Sequence, residues 1–252
     1  MESSGDRLSS IDRATALDLL RDGELDVLGR LVGSSNRAMV CTITRRCPDP
    51  DPDLVATCVY KPILGERPLD DFPDGTLAHR EVAAHLVSEA TGWDIVPPTI
   101  LRDGPFGDGM VQVWIDVDAG ADPWDLVQRA DRALRPMAVF DAVVNNADRK
   151  VGHILPVDGG HLFGVDHGIC FSPEPKLRTV LWGWRGGRLA EAEVEVLDTV
   201  RQRLDGGLGE ALAELLAPIE VAATVARVDE LLRTRRMPMP DPDRPSIPWP
   251  PF

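Results

Sequence analysis

Residues 146–153 read Asn-Ala-Asp-Arg-Lys-Val-Gly-His, and eighteen positions after Asp148 the chain reads Asp166-His167-Gly168. Between the two aspartates lie HILPV and HLFGV, flanking Asp158-Gly159-Gly160, which is a hairpin signal. A short hairpin returns the chain to its starting point and so brings both carboxylates to one rim. There one acid can orient or deprotonate a hydroxyl while the other holds a divalent metal on a triphosphate. Taken singly, each has a plainer reading, Asp148 as a turn cap and Asp166 as a surface ion-pair partner.

Outward from this stretch the hydrophobic pattern sorts the chain into two parts. Upstream, residues 134–147 place Met137, Phe140, Val143 and Val144 on one side, the spacing of a buried helix. Residues 188–235 return to helical periodicity, broken near Gly206-Gly207 and at Pro218. Towards the start, a short helix over 11–21 precedes three strand-like stretches, 24–32, 37–44 and 54–60. A helix over 76–90 carries Ala78, Val82, Leu86 and Ala90 as its apolar stripe, and a further strand is expected over 109–115. The expected fold is α+β, a small β-rich lobe (1–116) followed by a larger helical lobe (117–236) and a proline-rich tail (237–252). Seven of the 22 prolines fall in the last sixteen residues, so the tail cannot be helical. Docking through Trp249 and Phe252 would order it; otherwise it is a disordered end.

Composition excludes several classes. With 27 Lys+Arg against 41 Asp+Glu the net charge is −14, which excludes a generic nucleic-acid binder. It also speaks against stable residence on anionic membranes. No run approaches the roughly 18 apolar residues of a membrane span, and MESSGDRLSS lacks a leader pattern, so a cytoplasmic protein is expected. Cys41, Cys47, Cys58 and Cys170 form no CxxC pair and read as buried thiols. Asp49, Asp51 and Asp53 mimic the opening of a calcium loop, but prolines separate them and the loop glycine and closing glutamate are missing.

Two other features bear on chemistry. Lys61 stands in CVYKP at the end of an apolar strand, where an ammonium needs a carboxylate or phosphate partner unless it snorkels to water. Glu81 and then Glu89 are the nearest carboxylate candidates, although Glu81 lies off the apolar stripe of its helix. Gly33-Ser34-Ser35-Asn36 joins two strands, either as an anion-binding nest or as a plain turn.

In order and approximate spacing, VYKP, REVAAHLV followed by VPPT, MVQVWI, FDAVVNNADR and VDHG resemble the phosphatidylinositol 3- and 4-kinase branch of the protein kinase-like fold. Within that branch they resemble a bacterial phosphatidylinositol-kinase-like group, from about residue 28 to 188. The resemblance implies a bilobal kinase-like fold, ATP with Mg²⁺ or Mn²⁺, and transfer of the γ-phosphate to an alcohol acceptor. It implies that Lys61 contacts the α/β-phosphates, that Glu81 holds that lysine, and that Gly33, Ser34, Ser35 and Asn36 cover the phosphates. Val113, Trp114 and Ile115 would line the adenine pocket, Asp148 would accept the substrate proton and Asp166 would bind the metal.

The chain departs from the family pattern at three places. Lys150 stands where the family's catalytic loop has His, and His153 where it has the metal-binding Asn. As a softer ligand than an amide oxygen, the imidazole tilts preference towards manganese. His167 replaces the Phe of the second motif, and the phosphate loop holds a single glycine, Gly33. These departures leave open a nucleotide-binding pseudokinase, and a reversed nucleotide would allow AMP transfer instead. For the acceptor, residues 172–188 carry Lys176, Arg178, Arg185 and Arg188 against Glu174, with Trp182 and Trp184 nearby. A soluble small molecule or protein is expected ahead of a lipid.

Overall fold

The computed structural model describes residues 12–31, 36–49 and 51–252. The chain divides into two compact units, Met1–Val82 with Pro97–Trp114, and Ala83–Val96 with Ile115–Phe252.

The first unit is built on helix α1 (Arg13–Asp22) and an antiparallel sheet of β1 (Glu24–Arg30), β2 (Met39–Arg45), β3 (Leu54–Pro62), β4 (Thr99–Gly104) and β5 (Gly107–Val113). Their spatial order is β1-β2-β3-β5-β4. Asp12 caps α1 by accepting the N–H groups of Ala14 and Thr15, which satisfies donors the first turn cannot use. Strand β3 alternates strictly, burying Ala56, Cys58, Tyr60 and Pro62 and leaving Thr57, Val59 and Lys61 half-buried on the other face. The guanidinium of Arg102 donates to the Leu20 and Gly23 carbonyls, at 2.7 and 2.8 Å, and pins the C-terminal end of α1 to β4.

Strand β4 was not expected. Pro97-Pro98 and Arg102-Asp103-Gly104 carry the composition of a connector, yet the residues between pair with β5 from Thr99↔Gln112 to Gly104↔Gly107. The strand expected over 109–115 begins earlier and ends at Val113. Gly109 is required where β5 meets β3, because a Cβ there would lie 2.5 Å from the Lys61 carbonyl oxygen and 2.7 Å from Pro62 Cα.

Helix α2 (Leu77–Thr91) opens in the first unit and closes in the second. Its first N–H groups are satisfied from a distance, since the Glu66 carboxylate accepts from Leu77 at 3.1 Å and Ala78 at 2.8 Å.

The second unit is mainly helical: α3 (Pro123–Gln128), α4 (Arg135–Val144), α5 (Glu191–Leu204), α6 (Gly207–Ala213) and α7 (Pro218–Thr234), with the hairpin β6 (Ile154–Pro156) and β7 (Leu162–Gly164). Helix α4 is its axis, buried from Met137 through Val144 and packed in one core with Leu197, Val200, Val228 and Leu231. Glu193 and Glu220 reach back to the N–H groups of Ala190 and Ala217, closing the starts of α5 and α7. The tail docks on this unit: Met237 is buried and Phe252 packs on Trp124, while Trp249 is 86% exposed. A mixed α+β fold with an antiparallel sheet and a separate helical part is therefore observed.

Gly109→Ala should destabilise the chain by about 1–3 kcal/mol, because its methyl meets backbone that cannot swing aside. Urea unfolding measures the loss, and an unchanged midpoint would show that β3 and β5 approach less closely than described.

Candidate active site

In the first unit Lys61 and Glu81 form a close pair, Nζ to Oε1 at 2.6 Å, with side chains 17% and 2% exposed. The strand end delivers the ammonium and the first turns of α2 deliver the carboxylate. Glu81 escapes the periodicity argument because α2 has no single apolar stripe: all its residues except His79, Leu86 and Glu89 are buried. An ion pair this dry is costly to assemble and is held by its geometry and remaining contacts.

The residues expected to hold nucleotide are distributed as follows. Gly33, Ser34 and Ser35 lie outside the described residues. Asn36 accepts the Arg67 N–H through its side-chain oxygen at 2.9 Å, so it braces the loop that follows β3. Val113 ends β5, buried, with its N–H on the Pro98 carbonyl. Trp114 donates its N–H to the Thr57 carbonyl and, like Ile115, is half-buried.

In the second unit the loops expected to carry the acid and the metal ligands are organised around Arg149. This side chain and Asp141 are both 0% exposed and lie 2.9 Å apart. Asp141, a lone acid on the apolar helix α4, also accepts from the Asn146 amide at 3.0 Å and the Thr179 hydroxyl at 3.2 Å. The guanidinium further donates to the Val165 carbonyl at 3.2 Å and to His167 Nε2 at 2.6 Å. His167 therefore accepts through Nε2 and carries its proton on Nδ1, and its ring packs edge-on to Phe140. One buried cation thus fastens the loop after Asp148 to the loop around Asp166.

Asp148 itself is set by Asn146, whose side-chain oxygen accepts the Asp148 N–H at 2.9 Å. Its carboxylate pairs with Lys150 at 2.9 Å, each side chain 20% exposed. Asp166 is half-exposed and adopts φ +62, a left-handed conformation that aspartate tolerates better than most residues. His153 Nε2 lies 3.4 Å from Asp166 Oδ2, so the two expected metal ligands are neighbours. Burial holds the His153 imidazole below its ordinary pKa, against the opposing pull of Asp166. A neutral imidazole beside a carboxylate fits a divalent ion that draws its other ligands from phosphate and water. Among the described residues no group of three or more His, Cys, Asp or Glu side chains gathers as a protein-only metal cage.

Asp141, Asn146 and Arg149 stand in the quoted motifs but were given no role there, and Thr179 was not anticipated from sequence. A carboxylate inside the otherwise apolar FDAVV was the readable signal. Trp182 and Trp184 are half-buried; the Trp182 indole donates to the Ser246 carbonyl at 2.8 Å and Trp184 packs against the helical core.

The chain is 45% identical over 269 residues to Protein Rv2133c of Mycobacterium tuberculosis, a match covering 93% of this chain and 94% of the relative. Among solved structures it is similar to the Helicobacter pylori proinflammatory kinase CtkA, with TM-score 0.51 and 12% sequence identity over 86% of this chain and 94% of that one. The fold is accordingly kinase-like. No protein-family model matches the chain. Among the described residues no helix is long and apolar enough to cross a membrane.

Arg149→Leu should cost about 3–5 kcal/mol, because it strands the Asp141 carboxylate in a dry site. Pairing it with Asp141→Leu should recover much of that loss. Chemical denaturation of the two variants tests this, and equal losses in the single and double variants would contradict a buried ion pair.

Proposed function

We propose that this chain, which belongs to the same family as Protein Rv2133c, is an ATP- and divalent-metal-dependent phosphotransferase of the phosphatidylinositol-kinase-like group. It works in the cytoplasm and phosphorylates a hydroxyl of a non-lipid acceptor. The observation that carries the reading is the Lys61–Glu81 pair at 2.6 Å, seated at a strand end and on a helix of a kinase-like fold. An ammonium has three donors, so one held by Glu81 can still grip a second anion, and in this reading a polyphosphate is that anion.

In this reading Lys61 holds the α/β-phosphates, with Glu81 fixing its direction. Val113, Trp114 and Ile115 flank the base, and the loop at Gly33, Ser34, Ser35 and Asn36 covers the phosphates. Asp166 and His153 would hold Mg²⁺ or Mn²⁺, which supplies charge neutralisation on the phosphates when bound. Asp148 aligns the acceptor hydroxyl and takes its proton as the oxygen bonds to the γ-phosphorus and the bond to ADP breaks. Lys150 brings its ammonium beside the phosphoryl group in flight.

A pseudokinase is the second reading. It is favoured by the pairing of Asp148 with Lys150, which occupies the carboxylate needed for the proton.

Asp148→Ala should lower transfer of radiolabelled γ-phosphate, to water or acceptor, by at least about a hundredfold while sparing the thermal shift given by ATP with Mn²⁺. Lys61→Met should weaken that shift. Unchanged turnover in Asp148→Ala removes this residue from its role. A nucleotide shift without turnover in the native chain favours the pseudokinase.

A further inference from the structure

The loop that carries Asp148 is covered on one side by the chain's own tail. The Pro251 carbonyl accepts the Val151 N–H at 2.8 Å, and the Ser246 carbonyl accepts the Thr179 N–H at 3.0 Å. Ser246 also receives the Trp182 indole N–H at 2.8 Å. Arg244 donates to the Pro175 carbonyl at 2.9 Å, and the rings of Phe252 and Trp124 lie 5.0 Å apart. Pro248 is buried between these anchors.

The chemistry of the two surfaces is complementary in a specific way. Thr179 is bridged in parallel to Arg149, so the catalytic-loop segment and the 178–180 segment run side by side. Their outward groups at the tail are donors: the N–H of Val151, the N–H of Thr179 and the indole of Trp182. Pro245, Pro248, Pro250 and Pro251 have no N–H to offer, so this stretch of tail, which bends at Ile247 and at Trp249 and Pro250, meets the loop through carbonyl acceptors at Ser246 and Pro251. Two tryptophans hold it at either end, Trp124 by ring contact with Phe252 and Trp182 by its indole hydrogen bond to Ser246.

The position matters because Val151 is three residues from Asp148, and a Cβ added at Gly152 would sit 3.7 Å from the Phe252 carbonyl carbon. An acceptor hydroxyl must come within hydrogen-bond reach of Asp148. A polypeptide acceptor laid beside that loop would offer carbonyls to the same N–H groups. We propose that this strip is the binding site for a proline-containing polypeptide acceptor, and that residues 244–252 occupy it as an intramolecular competitor. The proposal rests on the phosphotransferase reading and adds the class of acceptor and its restraint.

The test uses the full chain with Pro248→Asp, which puts a carboxylate where the tail is buried, and Phe252→Ala, which removes the aromatic anchor. Hydrogen exchange reads docking at the Val151 and Thr179 amides, and phosphate release from ATP with Mn²⁺ reads turnover. The expected result is loss of protection at both amides in Pro248→Asp, a smaller loss in Phe252→Ala, and turnover raised by at least about fivefold and twofold respectively. A synthetic peptide of residues 244–252 added to Pro248→Asp should restore protection and suppress turnover. Protection unchanged in both variants shows that the tail is not docked there and overturns the proposal. Lost protection with unchanged or lower turnover overturns the competitor role. Failure of the peptide to restore protection overturns the polypeptide site and leaves a small-molecule acceptor. Exposed amides with no turnover in any chain refute the phosphotransferase reading itself and the competitor role with it.

Discussion

The second unit depends on a single buried cation. Arg149 directs its donors to Asp141 on helix α4 and to the Val165 carbonyl and His167, both in the loop around Asp166. A guanidinium suits this task because its planar fork keeps several directions at once, which a lysine ammonium on a flexible stem would not. The pair need not add net stability, since desolvating both charges offsets most of their attraction. What it contributes is register: the loop after Asp148 cannot move without the loop around Asp166. Thr179 extends the same network to the segment that meets the tail, so the placement of Asp148, His153 and Asp166 and the docking of residues 244–252 are physically linked.

The first unit solves a parallel problem by different means. There the fixed point is backbone, a strand end whose neighbour approaches through Gly109, and a helix whose start is held by Glu66. These two devices set the height of Lys61 and the rotation of α2, and the ion pair with Glu81 follows. Both units thus hold their charged groups by burying the atoms behind them, while the functional ends of Asp148 and Asp166 stay partly open to solvent.

The legibility of this design in the sequence followed local physics. Strands β2 and β3, helices α1, α2 and α4 and the β6–β7 hairpin were readable because their patterns are local. Strand β4 was hidden because prolines and a glycine at its ends give it the composition of a loop. Glu81 was named as the first carboxylate candidate for Lys61 but was hidden from periodicity, because a helix buried nearly all round has no stripe to measure against, and the resemblance to kinase-like motifs supplied the support for the pairing. The expectation that His153 and Asp166 lie together came from the same resemblance, and they are neighbours across the hairpin. Asp141 and Arg149 were passed over because their pairing joins a helix to the irregular loop after it, where neither helical nor strand spacing applies. The tail was read as non-helical, with docking through Trp249 and Phe252 or disorder left open, because its docking depends on Val151, Thr179 and Trp182, each about 60 to 100 residues away in sequence.

The proposed function requires that Lys61, and Asp166 with His153, each contribute to the binding of nucleotide with its metal. Isothermal titration of a nonhydrolysable ATP analogue, with and without Mn²⁺, tests this most directly in the native chain and in Lys61→Met and Asp166→Ala. The account predicts one site per chain, tightened by Mn²⁺ in the native protein, weakened by Lys61→Met under both conditions, and made insensitive to Mn²⁺ by Asp166→Ala. Full Mn²⁺ enhancement in Asp166→Ala, or native affinity in Lys61→Met, would contradict it.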